Sequence, residues 1–373
     1  MLTSEFVLDE SIIYLNHAAV SPWPRRTADA VRAFALENAS IGARHYNAWV
    51  ETESALKAQL CRLINAASVD EIALLKNTSE ALSIVAYGLT WLPGDNVVIT
   101  DQEFPSNRIV WESLAKFGVE TRAATLSGNV SPEDAILSRV DTQTRLVSVS
   151  SVQYATGLRL DLEKIGSACR ERDILFCVDA IQSLGAIDFD VQSCRVDFVM
   201  ADAHKWMMGP EGVALFYCRA GVMDRLELQQ YGWHMVEDQG NYDNPAWRLA
   251  SSARRFECGS PNMTGIHALH ASLSLIDEIG MAAIEKRVTE NSRYLIDYFN
   301  ERRDAFQLIT PAEDRRHAGI VTFRPLHETT GELHERLHKQ NVICAPRGGG
   351  IRFSPHYYTA REQLDEALQL LRT

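Results

Sequence analysis

Lys205 and Asp179 are the residues of this chain whose setting most constrains their chemistry. Lys205 sits in Ala201-Asp202-Ala203-His204-Lys205-Trp206-Met207-Met208-Gly209-Pro210, just after the apolar run Val196-Asp197-Phe198-Val199-Met200. Asp179, twenty-six residues upstream, ends a second such run, Ile174-Leu175-Phe176-Cys177-Val178. Both runs read as buried strands, so each charge arrives at the end of a core element. An ammonium there must be neutralised, paired or covalently used, because an unpaired buried ammonium is costly. A lysine and an aspartate at the carboxyl ends of two strands of one sheet meet the needs of pyridoxal phosphate (PLP). The amine holds the aldehyde as a Schiff base, and the carboxylate keeps the pyridine nitrogen protonated so that the ring acts as an electron sink.

Other polar residues fall where such a cofactor needs them. Ligands of open α/β sheets sit beyond the carboxyl ends of the strands, and phosphates favour helix N-termini. Asn77-Thr78-Ser79-Glu80-Ala81-Leu82 opens a helix whose free amides and two hydroxyls suit a phosphate. The ordinary alternative is Asn77 as a helix cap with Glu80 three residues on. Gln182, three residues after Asp179, can donate to the phenolate oxygen of the cofactor or face solvent. His204 can bind the phosphate, tune Lys205, or be a core histidine satisfied by a backbone carbonyl. Singly, each residue has a commonplace reading. The ordered set Thr78-Ser79, Asp179-x-x-Gln182 and His204-Lys205 does not.

The elements that must position these residues alternate along the chain. From about residue 50 to 220, helical patterns separate short apolar runs at 96–100, 145–152, 174–178, 196–200 and 213–217. Runs that are apolar throughout suit strands covered on both faces, as in a mainly parallel sheet with crossover helices. After Gly259-Ser260-Pro261 a long helical stretch, 265–299, gives way to strand-like runs at 306–309, 319–323 and 351–353, with helices between and after. The expected architecture is α/β: a large domain over 15–257, a smaller α+β domain over 258–373, and an N-terminal arm of residues 1–14.

Bulk properties narrow the class. Hydrophobic residues make up 46% and charged residues 23%, as in an ordinary globular protein, and 373 residues suffice for two cores. A net charge of -12 argues against nucleic acid or an anionic membrane as the main partner. No apolar run approaches the ~18 residues that span a bilayer. The start, Met1 to Glu10, is acidic and lacks the basic and apolar regions of a signal peptide. The seven cysteines show no C-x-x-C spacing and read as reduced thiols, so the expected compartment is the cytoplasm.

At this point the chain resembles the class V aminotransferase group of fold-type I PLP enzymes, which includes cysteine desulfurases, selenocysteine lyases and isopenicillin N epimerase-like proteins. The resemblance runs nearly end to end. Its segments are Tyr14-Leu15-Asn16-His17-Ala18-Ala19, Asn77-Thr78-Ser79-Glu80-Ala81 and Ser151-Val152-Gln153-Tyr154-Ala155-Thr156-Gly157. They continue through Val178-Asp179-Ala180-Ile181-Gln182-Ser183, His204-Lys205-Trp206, Arg255-Phe256-Glu257-Cys258-Gly259-Ser260-Pro261-Asn262 and Ile351-Arg352-Phe353-Ser354-Pro355-His356. It implies a mainly parallel sheet of the seven-stranded type. It also implies Lys205 as Schiff-base lysine and base, Asp179 at the pyridine nitrogen, and Gln182 and Gln153 near the phenolate oxygen. Thr78, His204 and Ser79 would serve the phosphate, and Phe104 would stack on the ring. Ser260 would reach the phosphate of a neighbouring subunit, which implies a homodimer. Arg352 would grip the substrate carboxylate. His17, with Arg44-His45-Tyr46 and Trp233-His234, is a candidate for the substrate pocket or for packing.

Several residues depart from the family pattern. Phe104 stands where desulfurases commonly carry a histidine, and it cannot donate a proton. Asp202 stands where many relatives carry a phosphate-binding serine; it is expected to point away or to bond His204. Desulfurases attack sulfur with a loop cysteine, whereas Cys344 reads as the end of a short strand before Gly348-Gly349-Gly350. In another enzyme class, His334-Glu335-Arg336-Leu337-His338 matches the H-E-x-x-H pattern of zinc hydrolases. The helix is short and no third-ligand pattern follows, so a solvated face is the preferred reading. The expectation is a PLP enzyme that takes the α-proton from a small α-amino acid, as an aminotransferase or C–S lyase. Desulfuration and epimerisation are the alternatives.

Overall fold

Strands with no polar face need cover on both sides, and the central sheet of the computed structural model has it. The structure describes residues 5–243 and 245–371, so the first four residues of the expected N-terminal arm lie outside it. In chain order the first part runs β1 (Ile13–Tyr14), α1 (Arg25–Ile41), α2 (Tyr46–Leu63), β2 (Ile72–Leu75), α3 (Thr78–Gly88), β3 (Asn96–Thr100) and α4 (Ser106–Glu112). It continues with β4 (Glu120–Ala124), α5 (Pro132–Leu137), β5 (Thr144–Ser150), α6 (Leu162–Glu171), β6 (Leu175–Asp179), β7 (Phe198–Asp202), β8 (Ala214–Cys218) and α7 (Ala220–Met223). The remainder is α8 (Met263–Ile279), α9 (Met281–Asn300), β9 (Phe306–Leu308), β10 (Val321–Pro325), α10 (Thr330–Lys339), β11 (Val342–Ile343), β12 (Ala345–Arg347), β13 (Gly350–Phe353) and α11 (Arg361–Gln369).

Seven strands form the central sheet in the order β2-β8-β7-β6-β5-β3-β4. The pairs β3–β4, β3–β5, β5–β6 and β6–β7 are parallel, and β8 runs antiparallel to both neighbours. The mainly parallel α/β sheet expected from the sequence is what forms. Alternate residues feed two separate cores. Val147, Phe176, Val178 and Val199 join one with Leu56 and Leu60 of α2, while Leu146, Leu175, Cys177, Phe198 and Met200 join the other with α3. Each face is apolar, which is why these strands show no alternation.

Two strands of this sheet have no long apolar run. β4 is an edge strand, and its Glu120-Thr121-Arg122 is partly solvated as edges tolerate. β2 spans only four residues. The stretch read as one helix over 265–299 is two, α8 and α9, broken at Gly280 with φ 82°.

A four-stranded antiparallel sheet, β12-β13-β10-β9, builds a third core with Leu295, Phe299, Leu333 and Leu337. β1 pairs in parallel with β11, and Asn16 bridges Ser354, so the N-terminal segment is stitched to this later part.

Candidate active site

The parallel strands of the central sheet end along one edge, and the polar residues gather there. Asp179 is the last residue of β6, and Lys205 lies three residues past β7. They are 2% and 9% exposed. Burial pushes the Asp179 carboxyl above its ordinary range, while the Ile181 amide (3.0 Å) and the charge of Lys205 pull it back. Burial likewise pushes the Lys205 ammonium below its ordinary range, against the attraction of Asp179. The result is an amine biased toward its neutral, nucleophilic form.

The turn that carries Lys205 is locked by its neighbour. The Trp206 indole donates to Gln182 Oε1 at 2.9 Å, and the Trp206 carbonyl meets His356 Nε2 at 3.0 Å. Two glycines make room for it: a Cβ on Gly319 would lie 2.2 Å from the indole, and one on Gly185 2.3 Å from the Trp206 carbonyl. Gln182 Nε2 donates to the Ala18 carbonyl at 3.1 Å.

Lys205 Nζ lies 5.6 Å from the centroid of the Phe104 ring, which packs edge-on against Tyr154. Phe104 is 41% exposed, so the ring beside the amine is partly open to solvent. Behind it, Glu103 is buried and its carboxylate collects donors from Thr100 Oγ1 (2.8 Å), Asn107 Nδ2 (2.8 Å), Ser150 N (3.0 Å) and Oγ (2.5 Å), and Gln153 Nε2 (3.3 Å). Glu103 escaped the sequence reading. Its signal was local: an acid directly before Phe104, with Thr100 three residues before it and Asn107 four after, able to donate to it across one turn.

Asn77 does cap α3, accepting from the Glu80 amide at 2.9 Å. Thr78 is buried, and Ser79 is exposed with its hydroxyl 2.9 Å from Ser106 Oγ, at the start of α4. Two helix N-termini therefore converge. Asp202 corrects an expectation: it neither points away nor gives its main bond to His204. Its Oδ1 accepts from the Thr78 amide at 2.5 Å and from Thr78 Oγ1 at 3.1 Å, while Oδ2 stays 3.5 Å from His204 Nδ1.

Arg352 stands on β13, in the middle of the smaller sheet. It is 2% exposed, and its Nη1 donates to the Tyr154 carbonyl at 2.8 Å. Ser260 is exposed, in the segment that precedes α8. His17 is engaged on both sides. Its Nδ1 meets the Ser354 carbonyl at 2.8 Å, its Nε2 meets Tyr358 Oη at 2.7 Å, and it is fully buried. With both nitrogens engaged inside the fold, its contacts match the packing alternative. His234 is also buried, 3.4 Å from Glu257, while His45 lies on the surface 3.4 Å from Glu37.

The residues present suit PLP on their own evidence. Gln153 Oε1, His204 Nδ1 and Arg352 Nε are buried without a hydrogen-bond partner in the chain. Such groups are costly to leave unmet: an anionic ligand can accept from Arg352 Nε, His204 Nδ1 needs an acceptor when it carries the proton, and Gln153 Oε1, itself an acceptor, needs a donor. The zinc pattern does not assemble in this way. His334 and His338 have ring centroids 6.4 Å apart, and His334 Nε2 lies 3.4 Å from the Cys344 carbonyl. Among the described residues, the group that could hold a metal is Glu53, His234 and Glu257. There the Lys57 ammonium already lies 2.9 Å from both carboxylates.

Comparison with known proteins places this geometry in a family. The family model described as Aminotransferase class-V matches residues 13–366. A probable cysteine desulfurase of Pyrococcus abyssi is 31% identical, over 98% of this chain and 94% of its own length. An uncharacterized aminotransferase, YcbU of Bacillus subtilis, is 32% identical over 86% of this chain and 83% of its own. Among solved structures, the apo cysteine desulfurase of Thermococcus onnurineus superposes with a TM-score of 0.85 at 25% identity, over 96% of this chain and 94% of that one. A lysine mutant of C-DES with glycine linked to its PLP cofactor shares the fold, with a TM-score of 0.88, 22% identity and 97% of each chain covered. The sheet whose edge carries Asp179 and Lys205 is thus that of the class V aminotransferase family, to which this chain belongs as a PLP-dependent enzyme.

Proposed function

We propose that the chain acts on a small α-amino acid, that Lys205 moves the α-proton, and that the reaction ends in amino-group transfer or in cleavage of a carbon–sulfur bond. The observation that carries this reading is Arg352. It is a buried guanidinium with Nε unmet, and no ion pair among the described residues includes it. Burial lowers its pKa to about 10, so it stays charged at neutral pH and in want of an anion. A planar fork beside the lysine suits the carboxylate of an amino acid.

PLP supplies an electron sink for the pair left at the substrate Cα. The residues of the chain do the rest. Asp179 would hold the proton on the pyridine nitrogen, and Gln153 and Gln182 the phenolate side. Thr78, Ser79 and His204 would line the phosphate end, and Phe104 would lie against the ring without offering a proton. Lys205, drawn toward its neutral amine, would take the α-proton while Arg352 fixes the carboxylate. Ser260 would serve the phosphate end of a second copy, making the enzyme a homodimer. The division into 15–257 and 258–373 and a cytoplasmic setting belong to the same proposal.

The names of the relatives favour a second reading, cysteine desulfuration. That reaction needs a thiolate to receive sulfur. Cys344 is 8% exposed, and burial pushes its thiol up to about 12. At neutral pH it is a poor nucleophile. Product analysis after L-cysteine or L-cystine is added to PLP-loaded enzyme without a keto acid separates the two. Sulfide or a persulfide with pyruvate, or no sulfur release but turnover with a keto acid, supports the first reading. Alanine together with enzyme-bound persulfide on Cys344 would overturn it in favour of desulfuration.

A further inference from the structure

Asp202 occupies the place where the phosphate end of the site would be strongest. The first amide of α3 is the natural donor to a phosphate, because helix N-terminal amides have no partner within the helix. Here that amide and the Thr78 hydroxyl both donate to Asp202 Oδ1, at 2.5 and 3.1 Å. A carboxylate and a phosphate cannot share one amide: two anions at hydrogen-bond range repel strongly in a partly buried site. The carboxylate is 14% exposed, so solvent does little to relieve that repulsion.

A second berth is already at hand. Asp202 Oδ2 lies 3.5 Å from His204 Nδ1, and that nitrogen is buried with no hydrogen-bond partner. Burial and the neighbouring Lys205 hold His204 neutral, with a pKa near 4, so its Nδ1 can carry a single proton to donate. A small rotation of the carboxylate would give up Thr78 and satisfy His204. Each position leaves one of the two donors unmet, and phosphate supplies the partner that Thr78 then lacks.

We propose that Asp202 is a two-position residue: it caps α3 when the phosphate end holds no ligand and turns to His204 Nδ1 when the phosphate of PLP arrives. This rests on the reading of Thr78 as part of the phosphate end, and it gives His204 its role there, which is to hold Asp202 off the helix. Asp202 therefore trades cofactor affinity for a capped, stable cofactor-free chain. The trade applies to the phosphate alone and not to the pyridine ring.

The test is equilibrium dialysis of the full-length cofactor-free protein with PLP and, separately, with pyridoxal, which lacks the phosphate. Thermal denaturation of the ligand-free protein accompanies it. Asp202→Ser is expected to tighten PLP about tenfold, leave pyridoxal unchanged and lower the melting temperature. Asp202→Asn keeps an acceptor for Thr78 without the charge, so it is expected to tighten PLP while holding the melting temperature. His204→Phe is expected to weaken PLP in the wild-type background and to change nothing in Asp202→Ser. Unchanged or weaker PLP binding by both Asp202 variants would overturn the proposal, as would an equal loss from His204→Phe in both backgrounds. Failure of the wild-type protein to bind PLP more tightly than pyridoxal would instead overturn the phosphate-end reading beneath it.

Discussion

Lys205 and Arg352 define the site because both are cations held where cations are costly. Lys205→Ala is expected to remove the visible absorption band of lysine-bound PLP and to abolish turnover while the fold persists; circular dichroism with absorbance checks both. Arg352→Lys keeps the charge but loses the planar fork. The expected result is a rise in KM of about 10–100-fold with a smaller change in kcat, since carboxylate binding is what is lost. Lys205 was legible in the sequence because it follows an apolar run, where a charge demands a reason; Arg352, inside the run of β13, was legible only through the resemblance of its segment to the family. Glu103 was not. Its local donors are Thr100 and Asn107, but its full meaning needs Ser150 and Gln153 as well, and these two reach it only after strands β3 and β5 lie side by side. His17 stood in a family segment with two readings, pocket or packing, and its bonds to Ser354 and Tyr358 could be seen only in the fold.

Elements position these residues through a few close contacts. The Lys205–Trp206 turn has little freedom to relax, because the outer ring of the indole packs directly against the Gly319 backbone. Gly319→Ala is expected to displace Trp206, to destabilise the chain by about 2 kcal/mol or more, and to lower PLP affinity; urea unfolding and a PLP titration read the two effects. At α2, Lys57 bridges Glu53 and Glu257, and the latter also accepts from the Leu74 amide at 2.7 Å. Lys57→Met leaves two buried carboxylates without their cation. A loss of about 3–5 kcal/mol is expected in denaturant unfolding. The Gly319–Trp206 and Lys57–Glu257 contacts were not visible beforehand, because each joins segments far apart in the chain. The strands themselves were visible where a run of five or more residues is buried on both faces. β4 was missed because a solvated edge needs no apolar residues, and β2 because four residues give too short a pattern.

At the scale of the whole molecule, buried histidines set a limit on acid stability. Burial lowers His17 to about 4 and moves His356 the same way, so the folded chain resists protons that the unfolded chain accepts near pH 6.5. The contribution of these histidines is therefore full above about pH 7 and falls as pH drops from about 6.5 toward 4, while the raised carboxyl of Asp179 acts in the opposite sense. His17 alone accounts for about 3 kcal/mol of that loss, at about 1.4 kcal/mol per pH unit. The change in urea midpoint between pH 7.5 and 5 should be smaller in His17→Asn than in the wild type, and an equal change in both would show that the His17 ring is solvated. No described helix is long and apolar enough to cross a membrane. The α/β architecture followed from apolar runs and the family segments, while the joining of β1 to β11 did not, since two-residue strands leave no periodic mark.

The central claim is that Lys205 moves the α-proton of an amino acid whose carboxylate Arg352 holds. The most direct measurement is proton NMR of the Cα position of a panel of L-amino acids, cysteine included, incubated with PLP-loaded enzyme in deuterium oxide. The account predicts exchange of the α-proton for at least one of them, slowed by Arg352→Lys and abolished by Lys205→Ala. Turnover of an amino acid with its α-proton retained in the product, or undiminished exchange by Lys205→Ala, would contradict it.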